Sequence, residues 1–414
     1  MKKTLAFSFA LACACGGSSG NTTHNQNPNC QPGTGTTLNA SCDPGFSVNG
    51  PNKAGTIYVT FSGETLGQAG LPYPPADKTK DLFFVDGWNI SFEEILVVLG
   101  NFRIAPGATQ SPDQSVVGTP VATMPGPYVV DMHKPSGFTG KDGLEPAGGI
   151  FKWDTDNSGN AFDNSTRYSF SYDVMQAVYP ATQVNLDSSQ FADYALMVQK
   201  GWSKLYRGTA TYAGNTAYDD PTNPNNAAAK AAFAALPQTI HFMFGWDDHG
   251  SLLNCDNPDF GEGQTNRGIQ PNSSGAVTAQ VTLHVDHAFW DILKHEGAYL
   301  RFDPIAAWAA AGTTAANPLD IGTLGHKPLA STFANGVPLP DRAPSQSTGD
   351  VTPTDQSNPQ QISLNLNGVP PQNVPGLANF MAFSAQSQMH LNADGLCYVK
   401  GQNASDPFYS PGLP

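Results

Sequence analysis

The 414-residue chain is long enough for one large β-rich domain or two ordinary ones, yet only 13% of it is charged, about half the usual share. Its net charge of −14 is spread thinly, which argues against nucleic acid or an anionic membrane surface as partner, since both require basic patches. With 42 glycines and 34 prolines, turns and long loops must be abundant.

Taken in order, residues 1–15 read as an export signal. Lys2 and Lys3 supply the positive start, Leu5–Ala12 the apolar core, and the run is too short to span a bilayer as a helix. Cys13 and Cys15 stand where a bacterial lipoprotein carries its lipid, although neither has leucine three residues before it, as the usual lipobox does. The reading is therefore an exported, membrane-anchored lipoprotein of the cell envelope, with soluble export to the outside as the alternative. Residues 16–54, rich in Gly, Ser, Asn and Pro, read as a flexible tether. Four further cysteines in an oxidising compartment predict two disulfides, Cys30–Cys42 and Cys255–Cys397. A thiolate metal site is the rival, but no C-x-x-C pair supports it.

A single β-rich domain is expected over 55–410. Ile57, Val59 and Phe61 alternate as a strand. Phe83–Ile104 suggests two or three strands, and Tyr128–Met132, Tyr168–Val174, Leu205–Tyr212 and Ile240–Trp246 one each. Ala227–Leu236 is an alanine-rich helix ended by Pro237. Asp303-Pro304 opens another, and Leu377–Ser384 suggests a last one. Residues 311–372 read as a long loop excursion with one possible strand, Ile362–Leu366. The fold class expected is mainly β: an antiparallel β-sandwich with a few short helices in the C-terminal half.

Within Asp154–Asp163, the residues Asp154, Asp156 and Ser158 are spaced like the first ligands of a calcium loop, with Gly159 at its sharp turn. Ser165 stands where a bidentate Glu should close such a loop, so an Asx-rich turn competes with calcium.

The candidate chemistry gathers in Val277–Trp308. Val277 to Asp286 alternates apolar and polar residues as a strand with one buried face, which puts His284 and Asp286 together on the polar side. Asp286 could then cap a helix carrying His287, Asp291 and His295 at four-residue spacing. Imidazole with carboxylate suits zinc or copper. The expected metal ligands are His284, Asp286 and His287, joined by Asp291, His241 or His390. His295, two turns along the helix, lies too far off to share one ion with His287. An ordinary helix cap with incidental histidines is the competing reading.

Three histidines sit beside methionine, as Met132-His133, His241-x-Met243 and Met389-His390. Thioether sulfur leans towards copper, although core filling is the commoner use of methionine. Glu64 and Asp86, at strand-end turns, are candidate outer ligands or general bases. Nucleophilic catalysis has little support, because no G-x-S-x-G elbow is present.

The segments FSGETLGQAG, FVDGWNISFEEILV, YSFSYDVMQA, VTLHVDHAFWD, LRFDPIAA and HLNADGLC are short but run through most of the chain in order. In them the chain resembles an uncharacterised family of predicted secreted bacterial lipoproteins with an H-x-D-H element. The resemblance implies a cell-surface lipoprotein and supplies no activity. In many members an acidic, EF-hand-like run follows the LRFDPIAA-like segment. Here AAGTTAANPLDIG holds one Asp, so calcium binding there does not carry over. Three functions are therefore in play: binding of zinc or copper, a metal-dependent hydrolase or oxidase at the same cluster, or a structural or adhesive surface protein without metal.

Overall fold

A computed structural model describes residues 54–135, 148–214, 225–261, 266–293, 297–309, 312–342 and 361–400. The expected signal, nearly all of the tether, the lipid-bearing Cys13 and Cys15, the Cys30–Cys42 pair and His295 lie outside them. In chain order the main elements are β1 (Ile57–Ser62), α1 (Glu64–Ala69), β2 (Trp88–Pro106), β3 (Ala122–Met124), β4 (Tyr128–Asp131), β5 (Gly148–Trp153), β6 (Tyr168–Val174) and β7 (Thr182–Val184). There follow α2 (Phe191–Lys200), β8 (Lys204–Tyr212), α3 (Asn226–Ala235), β9 (Thr239–Trp246), β10 (Gly250–Leu253), β11 (Val277–Leu283), α4 (Asp303–Ala306), β12 (Leu319–Asp320), α5 (Ile321–Leu324), α6 (Leu377–Ala385), β13 (Met389–Leu391), β14 (Gly395–Leu396) and β15 (Tyr398–Lys400).

The protein is mainly β, as expected, and its strands form two sheets. The smaller has the order β14-β13-β11-β1-β5. The larger runs β12-β9-β8-β2-β6-β10-β15, with β3, β4 and β7 alongside. One apolar core joins them: Phe61 of β1 meets Phe102 of β2 with ring centroids 6.0 Å apart. Both sheets are mixed and not purely antiparallel, because β1 with β11, β4 with β7, and β12 with β9 pair parallel. Long loops allow this, since a parallel pair needs only a crossover, not a helix.

Where two or three strands were expected before residue 106, β2 is one strand of 19 residues. Its pairing shifts register between Phe92 and Glu94 and again between Gly100 and Arg103. Such irregularities reset the alternation and imitate strand ends in the sequence. The helix α2 was not anticipated, although its start is written in the chain. Asp187 accepts from the Ser189 amide, and Gln190 reaches back to the Asp187 amide, a reciprocal capping box on the 3₁₀ turn Ser188–Gln190 that runs into α2. Gly201 closes it in the left-handed conformation.

Cys255 and Cys397 are bonded, tying the end of β14 to the loop after β10. The Asp154–Asp163 stretch forms an Asx turn. Asp156 accepts from the Ser158 and Asn160 amides, while Asp154 accepts from Thr56 and pairs with Lys152. Parts of the long stretch after residue 311 pack: Phe333, Leu339 and Ile362 form a small apolar cluster with Ala229 and Phe233 of α3.

Candidate metal centre

The centre follows from strand register. In the smaller sheet β1 and β11 run parallel, with Ser62 opposite Thr282, and β13 runs antiparallel, with His390 opposite the same Thr282. What leaves β1 and what leaves β11 must therefore emerge side by side, next to His390. Carboxyl ends of parallel strands are a recurrent place for ligand sites. From β1 emerges Glu64, and from β11 emerges His284.

The helix expected after Asp286 is absent. Val285–Phe289 is a single stretch of 3₁₀-helix with His284 as its N-cap, and Trp290 is already extended. A 3₁₀-helix has three residues per turn, so residues three apart eclipse. That geometry, not an α-helical stripe, brings His284 and His287 together, with ring centroids 5.4 Å apart. His390 completes the group, 4.1 Å from the His284 ring and 5.6 Å from that of His287. The candidate ligand atoms of His284, His287 and His390 all lie within 4.8 Å of one another, and they are the one such group among the described residues. His287 and His390 are buried, and His284 keeps a small exposed edge.

Ser387 sets two of the three tautomers. Its hydroxyl donates to the Ser384 carbonyl at 3.0 Å, so at 2.9 Å from His287 it accepts, and His287 Nδ1 carries the proton. Its carbonyl accepts from His390 Nε2 at 2.8 Å. His287 thus keeps its lone pair on Nε2 and His390 on Nδ1, and a hydrogen-bonded partner opposite the ligating nitrogen is the usual device for orienting a metal histidine. Trp290 lies against the His287 ring at 3.8 Å.

The surroundings favour a cation. Glu64 Oε1 is 3.3 Å from His284 Nε2. Burial alone would lower the His284 pKa, but the nearby carboxylates of Glu64, Asp286 and Asp394 more than offset it and hold the value above that of a free imidazole. Glu64 itself sits at φ 54°, a conformation uncommon outside glycine and concentrated at functional sites. The preceding Gly63 packs directly on the Met132 carbonyl, where a Cβ would collide. The backbone there is thus fixed by close packing as well as by the Ser62 hydroxyl, which accepts from the Glu64 amide.

Beneath the centre lies a buried brace that the sequence did not reveal. Lys204 of β8 is fully buried and reaches Asp248 at 2.6 Å, the Ala385 carbonyl at 3.0 Å and Gln388 at 3.3 Å. Tyr206 also donates to Gln388, and the Gln388 carbonyl accepts from the His284 amide at 2.9 Å. Side chains of the larger sheet therefore pin the 384–388 segment that carries Ser387.

The remaining expected ligands are placed elsewhere. The Asp286 carboxylate turns to the Trp290 indole N–H, which donates at 3.1 Å. Burial raises its pKa, so the carboxylate needs that partner. Asp291 accepts from the Tyr299 amide and pairs with the fully buried Arg301 at 3.1 Å. His241 stands on the larger sheet beside Thr209 and Glu93. The methionines paired in sequence with histidine do not join it: Met132 and Met389 are core residues, and Met243 sulfur lies 3.2 Å from Arg207. Asp86 is no outer ligand. Its Oδ2 accepts from the Phe302 and Asp303 amides at the start of α4.

Of the sequence candidates, then, the structure brings together His284, His287, His390 and, next to them, Glu64, and it adds Ser387. Comparison with known protein families, curated proteins and solved structures finds no match to this chain.

Proposed function

We propose that this protein binds one zinc or copper ion through His284, His287 and His390. The observation that carries the reading is the convergence of three imidazoles, two from the 3₁₀ stretch and its N-cap and one from β13, with candidate ligand atoms within 4.8 Å of one another. Three neutral imidazoles suit either ion. With Met389 and Met243 turned away, a soft, thioether-rich copper(I) site is disfavoured. Purified full-length chain is expected to carry about one ion, as measured by elemental analysis, and the His284→Ala/His287→Ala variant to carry less than about a tenth of that. A chain that takes up neither metal, and whose thermal midpoint is unmoved by added zinc or copper, contradicts the proposal.

A second reading is favoured by Glu64, whose carboxylate stands beside His284 on the partly open side. An ion held by three histidines and a water, with a base nearby, has the composition of a hydrolytic centre. Glu64→Gln would then retain metal and lose hydrolysis of an activated ester, whereas loss of metal in that variant would make Glu64 a ligand.

Export and lipid attachment at Cys13 or Cys15 belong to the same proposal. They rest on the N-terminal residue pattern and agree with the Cys255–Cys397 bond, which suits an oxidising compartment. Labelled palmitate incorporated into the chain, and lost when both cysteines become serine, is the expected result.

A further inference from the structure

Away from the histidine centre, where β2, β6, β10 and β15 meet, a cavity of about 440 Å³ opens. This falls in the range of small-ligand sites, about 300–1,000 Å³. Its floor is apolar, formed by Val174, Met175 and the exposed Val178. Gly100 underlies that floor: the Met175 sulfur occupies the space a Cβ at 100 would need.

The polar wall is built around His249. Its Nδ1 lies 2.7 and 2.8 Å from the two carboxylate oxygens of Asp247, and Gln176 donates to that carboxylate at 2.5 Å. The ring is therefore fixed, Nδ1 is committed, and Nε2 is its remaining polar atom. The Asp247 bond also favours the protonated ring, holding the His249 pKa above its usual value. The other acid of the wall, Asp173, is offset by Arg103 at 2.9 Å and accepts from Asn101 at 2.8 Å. Lys400 stands at the rim.

A cation would find both carboxylates engaged. An anion would meet the His249 ring and, at the rim, Lys400, beside an apolar floor that suits a short hydrocarbon chain and not a phosphate. We propose that the cavity binds a small apolar carboxylate, its chain on Val174, Met175 and Val178 and its head group at His249 Nε2. The histidine centre plays no part, so this holds whether or not that centre carries a metal.

The test uses full-length protein and ligand-observed NMR titration with sodium hexanoate, with hexanol as the uncharged counterpart. Saturable hexanoate binding is expected, about ten-fold tighter than hexanol, because a charge-assisted hydrogen bond is made only by the acid. His249→Ala should abolish that preference. Val178→Asp, at an exposed position that leaves the fold alone, should weaken hexanoate about ten-fold by charge repulsion and loss of apolar contact. Non-saturable hexanoate uptake, equal affinity for the two probes, or unchanged hexanoate affinity in either variant would overturn the proposal.

Discussion

Two polar clusters lie within twenty residues of each other and behave in opposite ways. Around Arg301, every charge has an answer: its guanidinium forks onto Asp341 at 2.7 and 3.1 Å and reaches Asp291 at 3.1 Å, while Arg342 pairs with Asp303, which also accepts from Trp88. Around His284, three imidazoles converge, with candidate ligand atoms within 4.8 Å of one another. The first arrangement is complete by itself and serves the fold. The second brings together three side chains that could hold a metal ion. The contrast teaches that burial of charge does not by itself mark a site; what marks one is donor atoms of one kind aimed at a common point.

The largest effect expected from breaking this contrast is at Arg301. Arg301→Met leaves Asp291 and Asp341 buried without a counter-charge and should cost about 3–5 kcal/mol in denaturant unfolding, with metal stoichiometry unchanged in the fraction that stays folded. Lys204→Met should cost a similar amount by stranding Asp248, and unlike Arg301→Met it should also weaken metal binding, because the 384–388 segment loses its anchor. Adding Asp248→Asn should return part of the stability, since no buried charge is then left alone. Ser387→Ala removes the hydroxyl that orients His287. It should lower metal affinity about 10–100-fold in competition with a chelator while moving stability by no more than about 1 kcal/mol.

A separate effect, of the same order as the first, concerns pH. Burial, and then the neighbouring Asp303, push the Asp86 carboxyl up to about 8. The folded chain thus holds a proton that the unfolded chain releases near pH 4. The stability from this group is full below pH 4 and is lost as pH rises towards 8. Asp86→Asn, which keeps an oxygen acceptor for the two amides, should flatten that part of the decline when thermal midpoints at pH 5 and pH 8 are compared. An undiminished decline in the variant would show that Asp86 is ionised throughout.

How far the sequence carried this account depends on the range over which each signal acts. Period-two alternation located β1, β6, β8 and β9 within a residue or two, because each strand reports its own burial locally, and found the start of β11, which ends at Leu283 and not at Asp286. The same signal failed across β2, where bulges reset the phase. At the site, His284 and His287 were legible as a pair of ligands, but for another reason than the one that unites them. His284 reads as the end of a strand and His287 as the start of an α-helix, whereas the structure joins them in one 3₁₀ stretch. His390 belongs with them only through the register of β13 on β11, which a pattern read along one segment cannot contain. Glu64 was visible as a strand-end carboxylate, and its position beside His284 follows from the parallel pairing of β1 with β11. Lys204 and Ser387 left no signal at all, since a lysine amid apolar strand residues and a serine after a helix are both ordinary. The fold alone gives them partners.

The central claim is that three histidines, two from the 3₁₀ stretch that follows β11 and its N-cap and one from β13, bind a single ion. X-ray absorption at the zinc or copper edge of metal-loaded full-length protein tests it most directly. The account predicts three imidazole nitrogens at about 2.0–2.1 Å, falling to two in the His390→Ala variant. A first shell without imidazole, or a spectrum unchanged by His390→Ala, would contradict it.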